Sequence, residues 1–524
     1  MPLPEGGAVR WPPHDLDPVN AQIATWSAWY SSDLDQLAEA YTGTGRHNEQ
    51  RSAWSSVVGY IRSTLRRWFH GPNGSSPRPR QRVHTPLAAD IAAASAGLLF
   101  SEPPVVSAPL GNNESPDETV QARIDALVDD GTHATWQEAA EVAAALGGVY
   151  LRVVWDASVA DKPWLSAVHP DAAVPEWRSG KLFAVTLWRT IHIDGQRVVR
   201  HLERHEPGYI RHAVYEGTKT ELGYPAALTD YPDTQGLADA ITDDGDAIAT
   251  GTDRLTCVYV PNLLPNRIWR HLPVAANLGV ADIAGLESML DFLDMTWSSW
   301  AKAVEQGQPR LIVPASYLRN LGAGQGSEFD MSAELFQGVS ALEQEGGLQV
   351  EQVQFTIPVA ELQATIEQLK RNITNSAGYS GRSFGIDETL KQATATEVNS
   401  LDRKDLITRD RKICYWGPAL ADVLEALCGV DAHLFGGYAV RPVIDWSDGV
   451  SVDPEAQART LRELESAGAI STETKVRELH PTWADDQIAA EVQRIRDDNG
   501  AATADPVAFT RSLAADEPEA FTDQ

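Results

Sequence analysis

Four histidines lie close together between residues 190 and 215, and histidine is the commonest protein ligand of metal ions. They are His192, His201, His205 and His212. A spacing of four residues would place His201 and His205 on one face of a helix. The surrounding residues alternate as in a strand, however, where four residues span about 13 Å, too far for one ion. We therefore expect strand histidines that are solvated or hydrogen-bonded, and no metal ion or other cofactor.

Three other patterns that could support catalysis are also weak. The glycines of GAGQGS (residues 322–327) could cradle a phosphate, but no Lys-Ser/Thr follows as in a P-loop, so a flexible loop is expected. The stretch GYSGR around Ser380 is not the G-x-S-x-G nucleophile elbow. Cys414 and Cys428 fall on the apolar-rich side of a predicted helix, where buried structural thiols are commoner than nucleophiles. The residues thus predict a protein that is not an enzyme.

The chain is strongly acidic, with 73 acidic against 43 basic residues and a formal net charge of -30. A protein that grips nucleic acid statically carries the opposite balance, because its cations must displace counterions from the phosphates. A surface past which DNA slides without sticking is compatible with this charge, since like charges repel.

The sequence also bears on the cellular compartment. Three cysteines are too few for a disulfide framework, which favours folding in a reducing compartment. The start MPLPEGGAVRWPP lacks a basic and then apolar signal sequence. The best candidate for a membrane span, residues 282–306, contains three aspartates, each costly in hydrocarbon, so no transmembrane helix is expected.

Apolar periodicity predicts the elements that would position any site. Residues 16–70 and 118–146 and the stretch TPLAADIAAASAGLLF are predicted to be helical, the last ended by Glu-Pro-Pro. From Gly148 to about residue 260 the period changes to two, which predicts an antiparallel meander with one buried face, punctuated by turns such as Asp194-Gly195 and Pro207-Gly208. The fold class is therefore α+β.

The second half of the chain carries two helices with matching apolar stripes. Residues 282–306 and 358–377 repeat apolar positions at alternating spacings of three and four, which predicts that they pack together. The insert between them is predicted to form a small α+β unit. Thr394 and Glu397 fit a capping box that starts a long helix of about thirty residues, kinked at Gly417-Pro418. Shorter helices follow Asp453, Ser471 and Thr482, and the acidic end from about Gly500 is predicted to be a mobile tail.

The order of these elements resembles the portal (head-to-tail connector) proteins of long-tailed double-stranded DNA bacteriophages, in particular the actinobacteriophage type. The stretches that carry the resemblance cover nearly the whole chain in the family's order: TPLAADIAAASAGLLFSEPP, EAAEVAAALGGVYLRVVWD, VPEWRSGKL, HLERHEPGYIRHAVYEGT, RLIVPASYL, TATEVNS and AGAISTETKVRELHPTWADDQIAAEV.

The resemblance implies a portal fold whose parts follow the predicted elements. It places a wing of helices and β meander at residues 1–281, stem helices at 282–306 and 358–378, and a small α+β clip at 307–357. A tunnel loop at 379–393 leads into the long kinked helix and strand of the wing at 394–449. A helical crown at 450–499 and the acidic flexible tail at 500–524 complete the chain.

The tunnel loop of such proteins lines the narrowest part of a DNA channel, so the resemblance implies which residues meet DNA. These are Ser380, Arg382, Ser383, Asp387, Glu388, Lys391 and Gln392. Arg382 and Lys391 balance Asp387 and Glu388, so the loop is near neutral within a strongly acidic chain. The two cations could make transient phosphate contacts, although solvated loop charges are an equally good interpretation.

The resemblance also implies the partners. They are further copies of the chain in a ring, normally a dodecamer, at one capsid vertex; double-stranded DNA in transit; the terminase large subunit; a head-tail adaptor protein; and the major capsid and scaffolding proteins. No membrane is involved, and the protein is expected in the virion and, during assembly, in the host cytoplasm. No ATP-binding signature is found, so a separate terminase is expected to supply the energy. The alternatives are another structural or scaffolding component without a channel, or a metal-dependent hydrolase built on the histidine-bearing strands.

Overall fold

A computed structural model describes most of the chain in two compact units, Met1–Gly449 and Val450–Gln524. The described residues are 3–43, 83–109, 117–156, 158–238, 241, 247–306, 310–312, 319–320, 327–328, 351–353, 357–386, 395–446, 461–479 and 485–502. Residues 44–70 of the first predicted helix, the glycines of GAGQGS before Ser327, the capping residue Thr394, the helix starts at Asp453 and Thr482, and the tail after Ala502 lie outside them.

Most helices of the first unit bury apolar positions in the core, as their periodicity predicts. They are α1 Asp17–Ser31, α2 Leu34–Gly43, α3 Leu87–Phe100, α4 Glu118–Leu127, α5 Asp130–Leu146, α6 Pro232–Ala238, α7 Glu287–Gln306, α8 Val359–Ala377 and α9 Ala395–Leu434. α3 ends before the predicted Glu-Pro-Pro, because proline lacks the amide that would continue the ladder. Helices α7 and α8 pack against each other as predicted, with the Lys370 ammonium 5.9 Å from the Trp297 ring centroid.

Two helix boundaries differ from the sequence prediction. The helix expected from residue 282 begins at Glu287. The preceding residues form turns, with Gly285 at φ +85°, a conformation that a right-handed helix does not contain. The long helix α9 contains 40 residues instead of about thirty, and Pro418 lies inside it. At 1.5 Å per residue α9 is about 60 Å long.

The strands form an antiparallel sheet and several smaller ones. They are β1 Gly7–Arg10, β2 Val105–Ser107, β3 Gly148–Val154, β4 Trp164–Val168, β5 Ala173–Arg178, β6 Lys181–Asp194, β7 Arg197–Glu206, β8 Tyr209–Gly217, β9 Glu221–Ala226, β10 Ala247–Ala249, β11 Cys257–Pro261, β12 Arg310–Ile312, β13 Arg319–Asn320, β14 Ser327–Glu328, β15 Glu351–Val353 and β16 Val443–Asp445. The largest sheet has the order β1-β9-β8-β7-β6-β5, with β10 beside β8. Its central meander follows the predicted turns, with Asp194 paired to Arg197 and Glu206 to Tyr209.

Two features of the predicted meander are wrong. Strands β3, β4 and β11 form a separate three-stranded sheet of order β11-β3-β4. The central strand β7 is buried on both faces, whereas one wet face was expected. Its Leu202 face packs with Trp11, Tyr215 and Leu222, residues from the chain start and from neighbouring strands. The opposite face contacts the three-stranded sheet through Arg152 and Glu203.

The main hydrophobic core lies among α1, α3, α5, α7, α9 and the three-stranded sheet. Its largest fully buried side chains include Trp26, Trp29, Trp136 and Trp416. Within the described residues one segment, Lys404–Leu434 of α9, is long and apolar enough to cross a membrane by length and composition, with a mean hydropathy of 1.3. Of the 18-residue stretch of this segment that gives the hydropathy value, 56% is buried inside the protein, as in the core helix of a globular protein.

The second unit is small and helical. Residues 461–466 are helical and end before Gly468, which adopts φ +65°. Two helices follow, α10 Thr472–Leu479 and α11 Asp485–Ala502. The predicted cap Ser471 accepts a hydrogen bond of 3.1 Å from the Thr474 amide. A core of Val476, Ile488 and Val492 joins α10 to α11.

Candidate functional site

The candidate site is the start of the 379–393 loop, where the chain leaves α8 and folds back against α9. Helix α8 ends at Gly378, whose φ of +102° forms a left-handed C-cap that glycine adopts without strain. The Thr408 hydroxyl of α9 donates a 2.6 Å hydrogen bond to the Gly378 carbonyl. The Lys404 ammonium donates to the Asn375 carbonyl at 2.5 Å. Both groups belong to α9. Thr408 satisfies the carbonyl of the C-cap residue, and Lys404 adds a second donor to the Asn375 carbonyl, which also accepts from the Gly378 amide.

A second contact between the loop and α9 is made by Asp405. This buried carboxylate accepts hydrogen bonds from the Ser380 amide at 2.7 Å, the Ser380 hydroxyl at 2.6 Å and the Ser383 hydroxyl at 2.8 Å. Three donors around one charged acceptor define the direction of the chain as it enters the short 3-10 helix Gly381–Phe384. Asp405 therefore anchors the first turn of the loop.

A third contact is a buried ion pair between Lys412 of α9 and Asp282, which precedes α7. The Lys412 ammonium lies 2.7 Å and 2.9 Å from the two carboxylate oxygens of Asp282, and both side chains are 1% exposed. The Tyr379 hydroxyl donates to Asp282 at 2.7 Å, and Lys412 also donates to the Ser95 hydroxyl at 2.6 Å. The Asn262 side-chain amide donates a hydrogen bond of 2.8 Å to the same carboxylate. One buried cluster thus ties the chain before α7, the chain after α8, and α3 to α9.

The electrostatics of this cluster follow from its burial. Burial lowers the pKa of Lys412, while the Asp282 carboxylate acts in the opposite direction. Burial raises the pKa of Tyr379 well above its ordinary value, and the nearby negative charge of Asp282 adds to that rise. The phenol therefore stays protonated and acts as a hydrogen-bond donor to Asp282.

The structure describes three of the seven predicted channel residues. Ser380 is buried, Ser383 is bonded to Asp405, and Arg382 is exposed on the short 3-10 helix. Asp387, Glu388, Lys391 and Gln392 lie outside the described residues. The two serines thus serve, in this conformation, to hold the loop base, and their contact with DNA stays a prediction.

Sequence reasoning missed the residues that hold the loop. Lys404, Thr408 and Lys412 are four residues apart and share one face of α9, with Asp405 beside them. A regular run of charged and polar residues at this spacing was the available signal. A solvated helix face shows the same spacing, so the pattern alone does not show that these residues anchor another segment.

A cleft of about 300 Å³ lies next to this anchor, between α3, α8 and the loop base. Asp90, Lys370, Ser383 and Phe384 are among the residues that line it. The Tyr379 and Phe384 rings meet edge to face with centroids 6.3 Å apart, which fixes the apolar side of the loop base.

The histidines weighed as metal ligands occupy a separate cluster in the large sheet. His201, His205 and His212 are buried and hydrogen-bonded, whereas His192 is exposed. The contact between histidines runs across strands, from His201 Nε2 to His212 Nδ1 at 3.1 Å. The sequence analysis considered His201 and His205, which lie on one strand, and so missed the closest pair, His201 and His212. Cys414 also differs from the prediction, since it is exposed, while Cys428 is buried as expected.

Part of the chain is similar to a known protein family. Residues 270–504 match the family model described as phage portal protein, SPP1 Gp6-like. This match contains α7, α8, the loop and α9, and it confirms the resemblance that the sequence predicted. A search of curated proteins finds no match.

Two solved structures are similar at low identity. One is described as the neck of a native GTA particle computed with C12 symmetry, with 14% identity and a TM-score of 0.40. The similarity covers 80% of this chain and 92% of that one. The other, the neck of an empty GTA particle computed with C6 symmetry, has 15% identity and a TM-score of 0.41, covering 75% of this chain and 90% of that one.

Proposed function

We propose that this chain, whose residues 270–504 match the SPP1 Gp6-like phage portal family, forms the ring at one capsid vertex through which double-stranded DNA enters and leaves the particle. The observation that carries the proposal is the family match over the segment that contains the paired helices, the loop and the long helix. In this assignment the protein is a structural component of the virion and a head-tail connector.

The anchored loop base supports the position that the proposal gives to the tunnel loop. Three sets of contacts from α9, through Thr408, Asp405 and Lys412, hold the chain where it leaves α8. The loop that follows begins from a defined position and direction, and its far end is the start of α9 itself. A loop that must face DNA during every packaging step needs such a rigid base, because a mobile base would let it collapse into the passage.

The proposal assigns the remaining segments by position. Residues 1–281 and 394–449 form the wing, α7 and α8 the stem, residues 307–357 the clip, and residues 450–499 the crown. The clip would dock the terminase large subunit during packaging and a head-tail adaptor protein afterwards. The wing and crown would contact major capsid and scaffolding proteins.

A ring of twelve copies leaves room for a DNA duplex, whereas a ring of six copies does not. Twelve helices placed side by side about 10 Å apart leave a bore of about 28 Å, whereas six leave only about 9 Å. The larger bore admits a duplex and the smaller one does not. The net charge of -30 on each copy keeps the wall of such a passage repulsive to DNA, so the duplex slides without becoming trapped.

Negative-stain electron microscopy of the purified full-length chain tests the proposal. We expect closed rings with a stain-filled central hole. A chain that remains monomeric at high concentration, or rings without a continuous bore, would contradict the channel function and favour another structural component of the particle.

The loop cations give a second, functional test. We expect Arg382→Ala and Lys391→Ala to leave ring assembly unchanged but to alter DNA packaging or genome retention, because each removes one phosphate contact per subunit. Lys219→Ala is the matched control, since it removes an exposed positive charge from a turn of the wing sheet. Normal packaging and retention in both loop variants would refute a DNA-contacting role for these residues.

A further inference from the structure

The β7-β8 hairpin gathers three metal-ligand side chains on one face of the large sheet. Its two-residue turn pairs Glu206 with Tyr209, which sets Glu203 directly opposite His212. His201 lies two residues before Glu203 on the same strand, and side chains two apart point to the same face. The sheet register therefore places His201, Glu203 and His212 next to one another, although they are not adjacent in sequence.

The distances within this group are close to those of a coordinated ion. His201 Nε2 and His212 Nδ1 are 3.1 Å apart, and their ring planes are within 10° of parallel. A tetrahedral zinc ion with Zn–N bonds of about 2.05 Å holds two imidazole nitrogens about 3.3 Å apart. One ligand atom from each of His201, Glu203 and His212 lies within 4.8 Å of the others. To share one ion, the three ligand atoms would have to lie about 3.3 Å from one another.

Residues around this group hold the Glu203 carboxylate in place. One oxygen accepts from the Arg152 guanidinium, and the other lies 2.9 Å from His205 Nε2. The second ring nitrogen of His205 lies 2.8 Å from the Thr256 hydroxyl. Such outer-shell partners commonly orient carboxylate and imidazole ligands and fix their tautomers.

An entry path to the group is also present. A cleft of about 320 Å³ opens onto the group and is lined by His201 and Glu203, with His169 and Asp171 at its wall. A water molecule in this cleft would supply the fourth ligand that three protein ligands leave open.

We propose that His201, Glu203 and His212 form a site for one divalent transition metal ion of the zinc class, completed by a water molecule from the cleft. The site lies in the wing sheet and does not depend on ring formation or on the DNA channel. The bound ion would clamp the β7-β8 hairpin, since it joins side chains from both strands, and would stabilise the sheet by mass action.

Zinc titration of the full-length protein tests the site. After removal of metals with a chelator, Zn²⁺ is added in competition with a chromophoric chelator, and we expect one equivalent to bind per chain. His201→Gln and His212→Gln each remove a ligand and should weaken binding by at least about 100-fold, beyond the loss that outer-shell substitutions cause. His192→Gln is the matched control, because it removes an exposed histidine from the same sheet.

Co²⁺ substitution of the unaltered protein keeps the test decisive if the variants do not fold. Tetrahedral coordination of Co²⁺ by nitrogen and oxygen ligands gives an intense visible absorption band, expected to saturate at one equivalent and to disappear when Zn²⁺ is added. Absence of this band together with absence of stoichiometric Zn²⁺ binding would overturn the proposal. The 3.1 Å contact would then be a hydrogen bond between two neutral imidazoles. Binding that survives equally in both ligand variants would overturn it as well.

Discussion

The buried pair of Lys412 and Asp282 makes the sharpest prediction about what holds the loop base. Both side chains are 1% exposed, so each charge depends on the other for compensation. Removing one partner of a buried pair typically destabilises a protein by about 3–5 kcal/mol, because the remaining charge stays buried without its counter-charge. We expect losses of this size in unfolding free energy for Lys412→Met and for Asp282→Asn.

The double variant separates this explanation from loss of packing. In Asp282→Asn/Lys412→Met neither charge remains; the single asparagine oxygen can accept from Asn262, and its amide group can donate to the Tyr379 hydroxyl oxygen. We expect this variant to lie within about 1 kcal/mol of the unaltered protein, which corresponds to a favourable coupling energy of about 5 kcal/mol or more between the two sites.

Urea unfolding followed by tryptophan fluorescence measures these differences, since Trp416 lies in the same core, one helical turn after Lys412. All variants are compared at one protein concentration, because association stabilises the folded state. Arg254→Met is the control for an exposed pair: Arg254, 58% exposed, contacts Glu425, and its loss should cost less than about 1 kcal/mol. The reasoning is refuted if the double variant is as unstable as the single ones, or if the single variants resemble the control.

Three further predictions concern the same region and the cysteines. Asp405→Asn should speed hydrogen exchange and limited proteolysis around residues 379–386, because the Ser380 amide and the two serine hydroxyls bond different carboxylate oxygens and an asparagine keeps only one acceptor oxygen, which is also uncharged. Unchanged protection would show that other contacts hold the loop. Gly378→Ala should lower the unfolding free energy by about 1 kcal/mol or more in the same urea assay, since φ is +102° and the added Cβ would lie 2.9 Å from the Thr408 hydroxyl. Gly208→Ala is the control: φ is +87° there but the surrounding space is open, so this variant should show the backbone cost alone. A maleimide should label only Cys414 in the native protein, because Cys257 and Cys428 are buried and burial raises the pKa of the Cys428 thiol to about 12; rapid labelling of Cys428 below pH 9 would contradict the packing of α9.

Local sequence patterns predicted most of the secondary structure. The apolar stripes of α7 and α8 predicted both helices and their packing, because a helix buries residues three and four apart wherever it lies. The turns Asp194-Gly195 and Pro207-Gly208 predicted the meander, because their residues favour sharp reversals. The start of α7 was misplaced, since residues 282–286 continue the apolar spacing while Gly285 takes a left-handed conformation that spacing does not reveal.

Contacts between distant segments were decided only by the tertiary structure. Asp282 and Lys412 are 130 residues apart, and each alone looks like an ordinary charge in an acidic chain. The group of His201, Glu203 and His212 is an intermediate case, because its register follows from a two-residue turn that is visible in the sequence. The sequence alone therefore determined the α+β class, the order of elements and the resemblance to portal proteins. Burial decided which charges pair and which histidines meet, since burial depends on how remote elements pack and has no local periodicity.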